Sequence, residues 1–241
     1  MLGQTLAATV VSRRYGYAFL GSPKCGNTTI KALLWRAEHR AGGCPPLDDE
    51  INVHTRQVDA QSPFLSFYNT PDFAEVLIQP GRLFFTIVRN PYDRAVASYL
   101  GVAEQPYAQT HMPRLGLPAE PRPSFVEFLR AVRAQKWKRR DMHWMPLSIL
   151  LAPDEIEYAA ILRTESLLGD FAKLLPRLIP GATVDDLRLG DQPDAARRSV
   201  RFTPEAVDLV QEIYGRDFEL FSYDPDPGDR LAALEDSTIG G

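Results

Sequence analysis

Apolar residues recur along the chain with two periods, one suited to strands and one to helices. Tyr15 to Gly21 (YGYAFLG) is a short aromatic and apolar run ending in glycine, which predicts a buried strand. Directly after it, residues 28–40 (TTIKALLWRAEHR) set Ile30, Leu33, Leu34 and Ala37 at helical spacing. Leu83 to Val88 (LFFTIV) is continuously apolar, as expected of a strand covered on both faces. Asn90 and Pro91 then supply an N-cap and a first-turn proline for a helix to about Leu100. Ser124 caps a helix to Ala134, with Glu127 completing a capping box. Tyr158 to Leu162 predicts a strand, and Thr164 to Leu175 a helix with Leu167, Leu168, Phe171 and Leu174 on one face. Thr203, followed by Pro204, caps a last helix to about Tyr214. Strands alternating with helices predict an α/β fold with a mainly parallel sheet flanked by helices. Residues 41–75 and 103–123 show neither period, and MLGQTLAATVVSRR reads as a short packing element.

Composition narrows the class without naming a chemistry. A chain of 241 residues can bury a sizeable core and is read as one domain, 1–241, with a loose tail from residue 224. The net charge of −4 gives no general attraction to nucleic acid, so any basic site must be local. The two cysteines, Cys25 and Cys44, make neither a disulfide framework nor a metal cluster, and fit a reducing compartment. No window approaches the roughly 20 apolar residues of a membrane helix. At the N-terminus the charges follow the apolar run, unlike a secretory signal, so a cytoplasmic protein is expected. The 20 prolines, many near residues 106–123 and 176–193, imply long loops.

The chemistry begins in GSPKCGNTT, Gly21 to Thr29. Gly21 and Gly26 have the spacing of the triphosphate loop G-x-x-x-x-G-K-[ST], yet Asn27 stands in the lysine position and Lys24 comes earlier. A turn between strand and helix exposes backbone N–H groups, and the helix adds partial positive charge at its N-terminus. Thr28 and Thr29 can donate hydroxyl hydrogen bonds to an oxyanion, and Lys24 adds a full charge. The plainer alternative is a capped turn with a surface lysine. A second segment, TIVRNPYDRAVASY at Thr86 to Tyr99, runs off a strand through Arg89 into a helix carrying Ser98. Arg89 offers the planar fork that grips oxyanions, with Ser98 a second donor. Surface pairing of Arg89 and Arg94 with acids such as Asp93 is the alternative.

Together the two segments resemble the sulfotransferases that use 3′-phosphoadenosine-5′-phosphosulfate (PAPS). Their PK-x-G-[ST]-T-like loop is matched by Pro23, Lys24, Gly26, Asn27, Thr28 and Thr29, with Cys25 inside the loop as a small filler. Their R-[DEN]-P-[FY]-x-R-x-x-S-x-[YF] segment is matched by Arg89, Asn90, Pro91, Tyr92, Arg94, Ser98 and Tyr99. The resemblance is closest to the Golgi-type carbohydrate enzymes. HWMP at His143 to Pro146, YAAILRTESLLGDF at Tyr158 to Phe171 and YGRDFELFSY at Tyr214 to Tyr223 extend it. The chain lacks the membrane anchor of the Golgi enzymes, so a soluble, bacterial-type relative is expected.

The resemblance implies a P-loop-like sulfotransferase fold, and sulfuryl transfer from PAPS to an acceptor hydroxyl, most naturally on a glycan, without a metal. Adenosine 3′,5′-bisphosphate is the product. It places residues 23–29 on the 5′-phosphosulfate, and Arg89 and Ser98 on the 3′-phosphate. In-line transfer builds charge on the leaving oxygen, which Lys24 would neutralise. His54, in INVHTRQ, matches a histidine of the carbohydrate branch and is the expected general base. His143, Asp49 and Glu50 are the other candidates, while His39 ends a helix and reads as structural. Arg201, in preference to Arg197 and Arg198, is expected over the nucleotide. Arg163 and Glu165 are weaker candidates for the cleft. The basic run Lys136 to Arg140 reads as a solvated face, or as a lure for an acidic acceptor. The rivals are a P-loop kinase or nucleotidase acting on ATP, and a non-catalytic nucleotide-binding relative. A kinase needs lysine at position 27 and usually an aspartate at a strand end, where this chain has Asn27 and Arg89.

Overall fold

The computed structural model describes residues 2–47, 53–56, 60–104, 106–184, 200 and 202–232. In chain order the regular elements are α1 (Leu2–Ala8), β1 (Val10–Ser12), β2 (Ala18–Leu20), α2 (Asn27–Arg40), α3 (Val53–Arg56), β3 (Phe64–Ser66), α4 (Phe73–Leu77) and β4 (Phe84–Val88). There follow α5 (Pro91–Val102), α6 (Tyr107–His111), α7 (Phe125–Ala134), α8 (Leu147–Leu150), β5 (Ala160–Arg163), α9 (Leu167–Leu178), α10 (Pro204–Leu220) and α11 (Asp229–Ala232). The chain divides into two compact units, Met1–Val88 with Leu150–Pro193, and Arg89–Ile149 with Asp194–Gly241.

The first unit holds the whole sheet, in the order β3–β1–β2–β4–β5. The apolar run of β4 has partners on both sides, pairing parallel to β2 and to β5. β1 runs antiparallel to both β2 and β3, so four strands share one direction and β1 alone is reversed. The sheet is therefore mainly parallel and the fold α/β, consistent with a sulfotransferase fold. β1 and β3 have three residues each and no alternation of apolar and polar positions, which is why the sequence pattern passes them over. Helix α2 buries Ile30, Leu33, Leu34 and Ala37 as its spacing predicts, and also Lys31 and Glu38. Glu38 accepts from the Ser12 hydroxyl at 2.5 Å and from the Tyr17 hydroxyl at 3.0 Å, so this buried carboxyl has partners. On α9 the buried face is Phe171, Leu174, Leu175 and Leu178; Leu168, expected on it, is exposed.

The second unit is helical, around a cluster that includes Tyr92, Tyr99, Phe128, Trp144 and Phe218. The capping box of Ser124 and Glu127 forms as expected. Helix α10 runs beyond Tyr214 to Leu220, with a kink at Tyr214 (φ −119°, ψ 16°) just before Gly215. The tail expected to be loose from residue 224 is tied at its start. The Tyr92 hydroxyl donates to the Pro225 carbonyl at 2.6 Å, and Arg230 pairs with Asp93 at 2.8 Å. Residues 233–241 lie outside the described residues.

Candidate active site

Strand β2 ends at Leu20, and four contacts fix the loop that follows. The Thr86 hydroxyl donates to the Leu20 carbonyl at 2.6 Å, and the Ser22 hydroxyl to the Ile87 carbonyl at 2.5 Å, clamping the loop's entry to β4. The Thr164 hydroxyl lies 3.0 Å from the carbonyls of both Cys25 and Val88, so one proton serves loop and strand end together. The Cys25 side chain is fully buried. Gly21 has no room for a side chain: a Cβ there would stand 2.5 Å from Asn27 Oδ1 and 2.6 Å from the Ala8 carbonyl oxygen. Gly21→Ala is accordingly expected to destabilise the protein by about 1–3 kcal/mol, read as a lower denaturation midpoint in urea.

The backbone then turns through two left-handed residues, Lys24 (φ +67°) and Gly26 (φ +86°). Left-handed residues turn neighbouring N–H groups of a loop toward one side, which forms concavities that hold anions. Lysine carries a Cβ and is strained in this region, whereas Gly26 adopts it without cost. Gly26 is also the N-cap of α2, and it makes no side-chain cap. The first bond of the helix ladder runs from Ile30 N–H to the Gly26 carbonyl at 3.0 Å. The N–H groups of Asn27, Thr28 and Thr29 precede that bond and point out of the helix end, where an oxyanion is favoured. Asn27 turns its amide oxygen inward, buried and without a hydrogen-bond partner among the described residues. The residue in the lysine position of a triphosphate loop is thus neutral, with its amide oxygen buried.

Helix α3 brings His54 to the same loop, its Nε2 2.9 Å from the exposed Thr28 Oγ1. In the neutral ring, either Thr28 donates to Nε2 or Nε2–H donates to Thr28. Burial and the charge of Lys31 bring the His54 pKa down to about 4. Burial brings Lys31, 1% exposed, down to about 7. Residue types alone did not single out Lys31. The signal was there in a lysine between Ile30 and Leu33 on an apolar helix, one turn after Thr28.

In the second unit, Arg89 follows β4 directly and is half-buried. Ser98 is fully buried and its hydroxyl donates to the His143 carbonyl. Arg94 Nη2 donates to the Met142 carbonyl at 3.2 Å, and the Tyr214 hydroxyl to that of Trp144 at 3.0 Å. The arginine and serine, four positions apart on α5, thus hold successive carbonyls of the turn that leads into HWMP. Asp217 completes the frame, accepting from the backbone N–H groups of Leu147 at 2.7 Å and Ser148 at 2.8 Å. Trp144 is fully buried, and its Nε1–H donates to Gln135 Oε1 at 2.9 Å. His39 is exposed with Nδ1 2.7 Å from the Cys44 carbonyl oxygen, a local structural contact. Arg163 lines an open groove of about 450 Å³ beside β5 with Lys173 and Arg177, and none of residues 21–29 line it. Asp49, Glu50, Arg197, Arg198 and Arg201 lie outside the described residues.

A strand, a loop with left-handed residues and an uncapped helix N-terminus thus follow one another in an α/β protein, an arrangement that favours an oxyanion at the helix start. A family model, the Sulfotransferase family, matches residues 7–224, and the chain belongs to that family. Its domain is that of a transferase of sulfuryl groups, with a hydroxyl-bearing acceptor. No curated protein and no solved structure matches the chain significantly. Among the described residues, no helix is long and apolar enough to cross a membrane.

Proposed function

We propose that the chain transfers a sulfuryl group from PAPS to a hydroxyl of a carbohydrate acceptor. The carrying observation is the meeting of His54 with Thr28 at the uncapped start of α2, in a loop that also carries Lys24. The residues of this loop fit a phosphosulfate. N–H groups at the helix start, the hydroxyls of Thr28 and Thr29, and the turn through Pro23, Cys25, Gly26 and Asn27 hold its oxygens. PAPS supplies the activated sulfuryl group. His54 takes the acceptor's proton as the acceptor oxygen bonds to sulfur. Lys24 neutralises the charge left on the 5′-phosphate oxygen as its bond to sulfur breaks. Arg89 holds the 3′-phosphate, with Arg201 as a further cation. Ser98 joins them only by exchanging its bond to the His143 carbonyl, so its share of the affinity is smaller than its place in the motif suggests.

The family match runs through both units, which supports reading residues 1–241 as one sulfotransferase domain. A glycan acceptor rests on the likeness of the two motifs to the carbohydrate enzymes. Free Cys25 and Cys44 are in keeping with a cytoplasmic protein. The test is calorimetric binding of adenosine 3′,5′-bisphosphate against ATP, followed by transfer of radiolabelled sulfate from PAPS to glycans, lipids and phenols. The expected result is tighter binding of the bisphosphate and label in a glycan. A preference for ATP would overturn the donor, and label confined to phenols or lipids would overturn the acceptor.

A further inference from the structure

Among the described residues of the second unit, His111, Asp141 and His143 form a cluster of groups able to ligate a metal ion. His111 ends α6 and His143 lies in the turn before α8, and both rings converge on one carboxylate. His143 Nδ1 is 2.6 Å from Asp141 Oδ1, and His111 Nδ1 is 3.9 Å from Asp141 Oδ2. The two imidazole centroids are 5.2 Å apart. The side chains are 12%, 15% and 29% exposed for His111, Asp141 and His143, so the cluster is sheltered but reachable from solvent. One donor atom from each residue lies within 4.8 Å of the other two.

We propose that His111, Asp141 and His143 form a binding site for a divalent transition-metal ion of the zinc type. Two imidazole nitrogens and a carboxylate oxygen suit such borderline ions, and three protein ligands leave a fourth position for water. Ligand bonds of about 2.0–2.2 Å put donors near 3.4 Å apart, so the 2.6 Å His143–Asp141 pair must open and the longer separations, up to 4.8 Å, must close, each by about 1 Å and within reach of small side-chain rotations. Asp141 supplies a carboxylate oxygen as the anionic ligand. Outer contacts already orient it: Arg114 Nη1 donates to Oδ2 at 2.9 Å, and the His143 backbone N–H to Oδ1 at 3.1 Å. His111 packs edge-on against buried Trp144 with centroids 6.1 Å apart, which limits its swing. Metal would replace the proton shared by His143 and Asp141, and would brace the turn whose His143 carbonyl holds Ser98.

The experiment uses the full chain, stripped with a chelator and titrated with Co²⁺ and then Zn²⁺. The expected result is a saturable visible d–d absorption at about one ion per chain, displaced by Zn²⁺, and a Zn²⁺-dependent rise in melting temperature. His111→Ala, and Asp141→Asn as a near-isosteric second variant, should each weaken Zn²⁺ binding at least about tenfold. Far-ultraviolet circular dichroism checks that the stripped variants are folded. No d–d absorption, or equal affinity in a folded variant, would leave the three residues as a hydrogen-bonded cluster only. The readout needs no nucleotide or acceptor, so its failure leaves the sulfotransferase reading standing.

Discussion

Lys24→Met is expected to lower turnover by about 10²–10³-fold while leaving the fold and most of the product affinity in place. Methionine keeps the Cβ and much of the length of lysine. The left-handed backbone at position 24 (φ +67°) is therefore no more strained in the variant than in the parent. The change isolates the charge. On the proposed reading, the loop N–H groups and the hydroxyls of Thr28 and Thr29 would satisfy the phosphosulfate oxygens in the ground state, so losing one cation among several donors should cost a modest part of the affinity. In the transition state the oxygen between sulfur and the 5′-phosphate gains negative charge, and a cation fixed beside it stabilises that state selectively. Lys24→Arg is not expected to restore turnover, because a planar guanidinium cannot replace a compact ammonium in a tight turn. Steady-state kcat with PAPS, set beside calorimetric affinity for adenosine 3′,5′-bisphosphate, makes the comparison. Equal losses in both would assign Lys24 to ground-state binding alone; an unchanged kcat would remove it from the site.

Strands β2, β4 and β5 and the long helices α2, α5, α7, α9 and α10 were legible because their patterns are local. LFFTIV reads as a covered strand, and the Asn90–Pro91 and Ser124–Glu127 signals mark helix starts through short-range bonds. β1 and β3 depend on partners far along the chain, Phe64 to Ser66 pairing with Val10 to Ser12, and three residues carry too little period to announce this. Leu168 shows the opposite failure, an apolar residue at helical spacing that faces solvent, because α9 buries the stripe from Phe171 to Leu178 instead. At the candidate site, glycine spacing gave the loop, but the approach of His54 to Thr28 is a tertiary contact between residues 26 apart in sequence. The burial of Lys31 and the hydrogen bond of the Ser98 hydroxyl to the His143 carbonyl are likewise set by packing.

His54→Ala is expected to lower turnover by about 10²–10⁴-fold, and the parent's pH profile should show why. A base must be unprotonated, so the rate falls on the acid side as His54 gains its proton. An ordinary histidine would set that limb near 6.5, but burial and the Lys31 charge place the His54 pKa at about 4. The parent should therefore keep its kcat/KM well below pH 6 and lose it only toward pH 4, as far as the fold survives. Lys31 is the lever. Below its own pKa of about 7 it is charged, and repels a proton from His54. In Lys31→Met that repulsion is gone while burial remains, so the acid limb should move part of the way back toward 6.5. The same linkage acts on stability with a definite sign. Between about pH 4 and 6.5 the unfolded chain binds a proton at His54 that the folded chain does not, so this residue lowers stability as pH falls across that window. His54→Ala should flatten that part of the stability curve. An acid limb unmoved by Lys31→Met, or a His54→Ala enzyme with parental turnover, would pass the base role to another group.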